Sequence, residues 1–223
     1  MPVSETYLID CMEYMAGMPD KYFDLAVVDP PYGININNSI GRRKGDRHSG
    51  HKKVLWDSQP PSKEYFKQLI RVSKNQIIWG ANHFIDRMPI NSPCWLMWDK
   101  KFSEEVSFAQ FELAWTSFDG TCKKFDFAAN KGNKIHPTQK PQALYRWIFQ
   151  NYAKPGQKIF DSHLGSQSSR LAAWDMGLDF YGCEIDPEYF SDGNARFEAH
   201  KNKPVLFAAE QMYSFEQAKL FDQ

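Results

Sequence analysis

The segment KIFDSHLGSQSSRLAAWDMGLDFYGCEID, from Lys158 to Asp186, constrains the fold more than any other stretch of the chain. A short apolar strand ends at Asp161, and a turn containing Gly165 follows. A helix opens near Gln167 and is closed by Gly177, and a second strand ends at Glu184. Neighbouring strands joined through a helix run parallel, and the crossover takes one hand. Parallel strands need cover on both faces. The unit therefore predicts a layered α/β protein.

The rest of the chain repeats the pattern. Short runs rich in β-branched or aromatic residues predict strands at Tyr7–Ile9, Phe23–Val28, Gln76–Trp79, Trp95–Trp98, Phe111–Trp115, Lys158–Phe160 and Phe180–Cys183. Helical patterns lie between them: Ser62–Ser73 with Ser62 as N-cap, Pro141–Ala153 with Pro141 in the first turn, Gln167–Met176, and Pro187–His200 behind Asp186. The predicted fold is a doubly wound, mostly parallel, seven-stranded α/β sheet with helices on both faces, built as one domain over residues 1–223. Two polar stretches interrupt it. Residues 35–56, containing GRRKGDRHSGHKK, have no hydrophobic period and read as a mobile basic loop. Residues 119–135, containing DGTCKKFDFAANKGNK, are also irregular.

At 223 residues the chain can bury a substantial core. No apolar stretch approaches the roughly 20 residues of a membrane span, and the start MPVSETYLID lacks a basic-then-apolar leader pattern. The expectation is a soluble, cytoplasmic protein. Cys11, Cys94, Cys122 and Cys183 are widely spaced with no CxxC pair, which argues against a zinc cage and a disulfide framework; no metal is expected. Net charge is zero, so a case for nucleic acid rests on local clusters. One comprises Arg42, Arg43, Lys44, Arg47, Lys52 and Lys53 against the single acid Asp46; the other interleaves Lys123 and Lys124 with Phe125 and Phe127. Such clusters are most often just solvated.

Two constellations carry chemistry. The distance from the Gly165 turn to Glu184, about 20 residues, suits a nucleotide-binding βαβ unit, in which helix-start N–H groups face an anion and the acid bonds ribose hydroxyls. An ordinary βαβ unit with a glycine turn fits the same residues, because the glycine pattern is incomplete. The second is VVDPPYGI, Val27 to Ile34, where an apolar strand stops in Asp-Pro-Pro-Tyr-Gly. Doubly wound sheets bind ligands beyond the carboxyl ends of their strands, so Asp29 to Tyr32 belong on that rim. Two prolines fix a turn there. A planar amine could donate to the Asp29 carboxylate and the Pro30 carbonyl while its ring stacks on Tyr32. A plain turn would use the same residue types.

DPPY at 29–32, HPTQKP at 136–141 and the D-x-x-x-G-S unit at 161–166 together resemble the S-adenosylmethionine-dependent amino-methyltransferases that modify DNA, in the β-class order with the catalytic motif ahead of the cofactor motif. YLIDCMEYM, IIWGANHF, FELAW and YGCEIDPEYF extend the resemblance over most of the chain. It implies catalytic roles for Asp29, Pro30, Pro31 and Tyr32. It implies cofactor contacts for Asp161, Ser162, Gly165 and Ser166 at the methionine side, Glu184 at the ribose, and Asp10 and Cys11 near the adenine. His136, Thr138, Gln139 and Lys140 match the short motif that packs over the cofactor. Asp, rather than Ser, before Pro-Pro-Tyr is mostly found in the adenine-N6 enzymes of this family. The resemblance also implies a DNA partner met through the two basic clusters, extrusion of the target base, a homodimer, and a bacterial or phage-infected cell.

The chain departs from the pattern at Asp161-Ser162-His163, where Asp-Pro-Phe is usual, and at Gln167, where a second glycine is usual. The DSHLGSQSS run is similar to compact phage and prophage members, and Gln167 would add bulk near the cofactor. Other readings stay open: N4-cytosine, RNA adenine or a protein amide as acceptor, cytosine C5 through Pro93-Cys94, and a non-catalytic nucleic-acid binder.

Overall fold

The computed structural model describes residues 1–34, 56–88, 91–102, 109–128 and 134–202. Its strands are β1 (Ser4–Leu8), β2 (Phe23–Val28), β3 (Ser73–Trp79), β4 (Trp95–Asp99), β5 (Phe111–Thr116), β6 (Lys123–Asp126), β7 (Lys158–Asp161) and β8 (Asp179–Glu184). They form one sheet in the order β1-β8-β7-β2-β3-β5-β4-β6, in which every pairing is parallel except those of β5 with β3 and β4. The helices are α1 (Cys11–Ala16), α2 (Lys63–Val72), α3 (Gln142–Tyr152), α4 (Ser168–Asp175) and α5 (Pro187–Lys201).

The doubly wound architecture agrees with the sequence reading, with eight strands rather than seven. The added strand is β6, KKFD, inside the stretch read as irregular. It is a mostly exposed edge strand, held by its ladder with β4 and by Lys124 reaching Asp99 across it. An edge strand has only one partner and little buried surface, so no period-two apolar signal marks it. Helix α1 also escapes the reading, because six residues span under two turns and show no repeat. Pro141 stands at the N-cap with extended backbone rather than in the first turn of α3.

Alternation along the strands divides the core. Leu25, Val27, Ile77 and Trp79 face α3 and α4 through Leu144, Ile148, Ala172 and Ala173. Ala26, Val28 and Ile78 face α1 and α2 through Met15, Phe66, Leu69 and Val72. Each large apolar side chain so buried contributes about 1.5–3 kcal/mol. Ser62 caps α2 as read, accepting from the Tyr65 N–H at 3.3 Å.

Seven strands share one direction, so the carboxyl ends of β1, β8, β7, β2, β3, β4 and β6 lie on a common rim, and antiparallel β5 begins there. Cys94 precedes β4 at the opposite edge, where it is buried and its thiol meets the Thr121 carbonyl at 3.4 Å. That position removes it as a nucleophile at the rim.

Candidate active site

The turn after β2 is built around a borrowed carboxylate. Asp57, buried, accepts hydrogen bonds from the backbone N–H groups of Tyr32 (2.8 Å) and Gly33 (2.9 Å). Gly33 adopts φ +74°, and a Cβ there would lie 2.4 Å from Pro60 Cδ. The Tyr32 ring stacks on His83 with centroids 5.0 Å apart and planes at 16°. It also presses on Gly80, where a Cβ would come within 2.0 Å of the ring. The IIWGANHF segment thus supplies the wall against which Tyr32 is held.

Behind the turn lies a buried charge network. Lys140 Nζ is 2.5 Å from Asp29 Oδ2, 2.9 Å from Glu112 Oε2 and 3.1 Å from Tyr32 Oη. Tyr32 donates its hydroxyl proton to Asp29 Oδ1 at 2.7 Å, and Lys100 pairs with Glu112 at 2.6 Å. Burial pushes the Asp29 carboxyl up, and the Lys140 ammonium only partly offsets it. For Glu112 burial acts the same way, but Lys140 and Lys100 outweigh it and hold the group at about 2. Burial disfavours the Lys140 charge, yet the two carboxylates keep its pKa above the usual lysine value. Burial also raises the Tyr32 phenol, and the adjacent Asp29 and Glu112 charges raise it further, so it remains a donor.

The other half of the rim comes from β7 and β8. Ala26 pairs with Phe160, so the ends of β2 and β7 are neighbours, and Asp29 and Asp161 stand near enough for their charges to interact. Asp161, buried, accepts from the Ser169 hydroxyl (2.6 Å) and the His163 N–H (3.1 Å). Burial nevertheless pushes its carboxyl up to about 7. Ser162 Oγ lies between Tyr65 Oη (2.6 Å) and His163 Nδ1 (2.8 Å), and burial pushes His163 down to about 4. Glu184 accepts from the N–H groups of Gly165 (2.8 Å), Ile185 (2.9 Å) and Asp186 (3.0 Å). The Ile9 N–H bonds the Glu184 carbonyl, which brings the start of α1 alongside; the Asp10 carboxylate caps that helix through Met12 (2.7 Å). Burial raises the Cys11 thiol to about 12, so it stays protonated.

HPTQKP divides between the two halves. The His136 ring borders Gly165, where a Cβ would be 3.4 Å away, and its Nδ1 meets Thr138 Oγ1 at 3.0 Å. Gln139 Oε1 accepts from the Ile135 N–H. Lys140, grouped by the resemblance with cofactor contacts, instead directs its ammonium into the Asp29 network. Ser166 bonds Ser168, and its carbonyl accepts from Arg196.

Gln167 departs from its expected effect. It takes φ +56°, the conformation of the missing glycine, but its side chain is fully buried against Gly193 of α5, where a Cβ would meet Gln167 Nε2 at 2.5 Å. Its Oε1 accepts from Arg170 at 2.8 Å. The bulk is accommodated between α4 and α5.

Of the candidate nucleic-acid contacts, Arg42, Arg43, Lys44, Arg47, Lys52 and Lys53 lie outside the described residues. Lys123 reaches Asn151 (2.9 Å), and Lys124 joins Lys101, Asp99 and Asp126 in an exposed network whose charges cancel. Sequence reasoning missed Glu112, Lys100, His83 and Asp57. Glu112 carried a signal, as a lone acid inside the apolar run FELAW; Asp57 carried none. Among the described residues no cluster of His, Cys, Asp and Glu could hold a metal, and no helix is long and apolar enough to cross a membrane.

Residues 114–195, from β5 into α5, match the N6_N4_Mtase family, described as DNA methylase. The Type II methyltransferase M.HinfI of Haemophilus influenzae is 23% identical over 249 aligned residues, covering 87% of this chain and 68% of that protein. In fold the chain is similar to M1.HpyAVI, solved as a complex with SAM (TM-score 0.56, 18% identity, 86% of this chain and 98% of that one). It is likewise similar to PvuII DNA methyltransferase, cytosine-N4-specific (TM-score 0.62, 13% identity, 96% and 92%). The fold is that of the Rossmann-like methyltransferases. The likeness in fold extends over most of the chain, and the match to the DNA methylase family covers its second half from β5 into α5.

Proposed function

We propose that the chain transfers a methyl group from S-adenosylmethionine to the N6 amine of an adenine extruded from DNA. The observation that carries this reading is the adjacency of β2 and β7, which brings Asp29 near Asp161 at one rim of the sheet. Asp before Pro-Pro-Tyr favours adenine over cytosine by resemblance.

The residues present fit the cofactor. Glu184 offers a carboxylate at the end of β8 for ribose hydroxyls, and the Gly165 turn lies against it within hydrogen-bond reach. Asp161, raised to about 7, would gain a counter-charge from the ammonium of a methionine moiety. Asp10 and Cys11 adjoin Glu184 through the β1–β8 register, at the adenine side. When bound, S-adenosylmethionine supplies an electrophilic methyl group.

The chain supplies position and electrostatics. An exocyclic amine is a weak nucleophile because its lone pair is delocalised into the ring. Asp29 and the Pro30 carbonyl accept its hydrogens, which favours a pyramidal nitrogen and stabilises positive charge developing there. The base stacks on Tyr32, which substitutes for its neighbours in the duplex. The segment after the catalytic turn, with Arg42 to Lys53, meets phosphates beside the target, aided by Lys123 and Lys124. The assembly proposed is a homodimer.

Mass spectrometry of nucleosides from unmethylated duplex DNA treated with the protein and S-adenosylmethionine tests the reading. N6-methyladenine is expected. The N4-cytosine alternative, to which the PvuII likeness gives weight, would yield N4-methylcytosine instead. Absence of any methylated base rejects both.

A further inference from the structure

The ammonium of Lys140 has three N–H bonds, and three partners take them: Asp29 Oδ2, Glu112 Oε2 and Tyr32 Oη. Its side chain is 2% exposed, and the rings of Tyr32 and Trp79 flank it at 5.6 Å. No donor is left to offer a cofactor. Asp29, by contrast, uses one lone pair on each oxygen, toward Tyr32 and Lys140, and keeps the others for an incoming amine.

We propose that Lys140 is a positioning residue for Asp29, holding that carboxylate ionised and fixed in orientation to receive the target amine, with Glu112 as the second anchor that keeps the ammonium in place. The proposal rests on the methyl-transfer reading of Asp29. A lone carboxylic acid in this setting would take up a proton, and one of its oxygens would become a donor facing the donor hydrogens of the amine. An ammonium on Asp29 alone would also oppose the positive charge developing on the target nitrogen. Glu112, itself paired with Lys100, leaves the four-group set neutral.

The charged and titratable groups around Asp29 come from several elements. Lys140 and Tyr145 approach from α3 and the segment before it, with Arg196 of α5 behind Tyr145. Glu112 comes from β5, with Lys100 and Lys134 beyond it. Asp161 faces Asp29 from β7. His83 and Asp57 lie on the far side of Tyr32. Among these, Lys140 is the cation in contact with Asp29.

The test uses the full chain, with transfer of labelled methyl from S-adenosylmethionine to unmethylated duplex DNA followed across pH, and cofactor affinity measured separately by calorimetry. Lys140→Met is expected to bind cofactor within about threefold of wild type, to lose about 100-fold in transfer near neutral pH, and to shift the acid limb of the rate profile up by about one pH unit or more. Lys140→Met/Glu112→Gln, which removes one charge of each sign, shifts that limb part of the way back and serves if the single variant fails to fold. Lys140→Arg keeps the limb in place. Loss of cofactor binding in Lys140→Met, or a rate loss equal at every pH, overturns the proposal. If wild type labels no DNA, the methyl-transfer reading fails, and the infrared carboxylic-acid band of Asp29, assigned by its absence in Asp29→Asn, decides the rest. That band at neutral pH in Lys140→Met but not in wild type upholds the Lys140–Asp29 coupling; its absence from both overturns it.

Discussion

The ammonium of Lys140 lies 2.5 Å from the carboxylate of Asp29 although 111 positions separate them in the chain. This contact joins the HPTQKP and DPPY motifs into a single buried network. It also gives Glu112 a share in the same cation, so the network has a spare acid.

Asp29→Ala is therefore expected to fold. Removing one member of a buried ion pair costs about 3–5 kcal/mol when the partner is stranded, but Lys140 keeps Glu112 at 2.9 Å, so a loss below that range is expected in urea unfolding. Methyl transfer should fall by about 100–1,000-fold or more, with cofactor affinity by calorimetry nearly unchanged. Undiminished turnover would remove Asp29 from the chemistry.

Gly80→Ala acts directly on the Tyr32 ring and reaches Asp29 only through the Tyr32 hydroxyl. The residue has φ +71°, and the new methyl would stand 2.0 Å from the Tyr32 ring. Left-handed strain and the displaced ring together should cost about 1–3 kcal/mol. Transfer is expected to drop about tenfold or more, through loss of the base-stacking surface, while cofactor binding holds. Equal losses in both would place the defect in the fold.

Asp161 and His163 bend the pH dependence of stability in opposite senses. The Asp161 carboxyl is raised from 3.8 to about 7, so it binds a proton in the folded state where the unfolded chain has lost it. Its contribution is present at low pH and disappears as pH climbs through that interval. The His163 imidazole is lowered from 6.5 to about 4, so its contribution is present above 6.5 and disappears as pH falls toward 4. Between about 4 and 6.5 the two slopes oppose each other. Denaturant unfolding over a pH series should show Asp161→Asn losing stability toward acid relative to wild type, and His163→Asn gaining it.

Gln167→Gly tests where the glutamine side chain acts. Glycine relieves about 1–2 kcal/mol of left-handed strain, but Arg170 loses the Oε1 acceptor at 2.8 Å and space opens beside Gly193. A net destabilisation of about 1–2 kcal/mol is expected. Cofactor affinity should change by less than about threefold, because the side chain turns toward α5. A large gain in affinity would show that the glutamine intrudes on the cleft.

Legibility in the sequence follows burial and locality. Phe23–Val28 is legible to its limits because a central strand buried at all but Asp24 is an apolar run broken only there, and Ser62 because a cap is a local event. The edge strand Lys123–Asp126 escapes because its stabilisation lies in pairing with Leu96–Asp99, which no local pattern announces. The same holds within the site. Asp29, Tyr32, Gly165 and Glu184 stand at strand ends and turns with recognisable spacing, whereas Asp57 acts through backbone N–H groups 24 and 25 positions earlier. Lys140 is visible as a residue to single out, but its partner depends on which rim the segment crosses.

The carboxylate of Asp57 has one more implication. By gripping Tyr32 and Gly33, it ties the residues on either side of positions 35–55 to each other, whatever residues stand between them. Doubling the number of residues between two points so tied costs only about 0.6 kcal/mol when the intervening chain is flexible. Exchanging, lengthening or trimming positions 35–55 is therefore expected to leave the Asp57 contacts, and with them the turn after β2, in place.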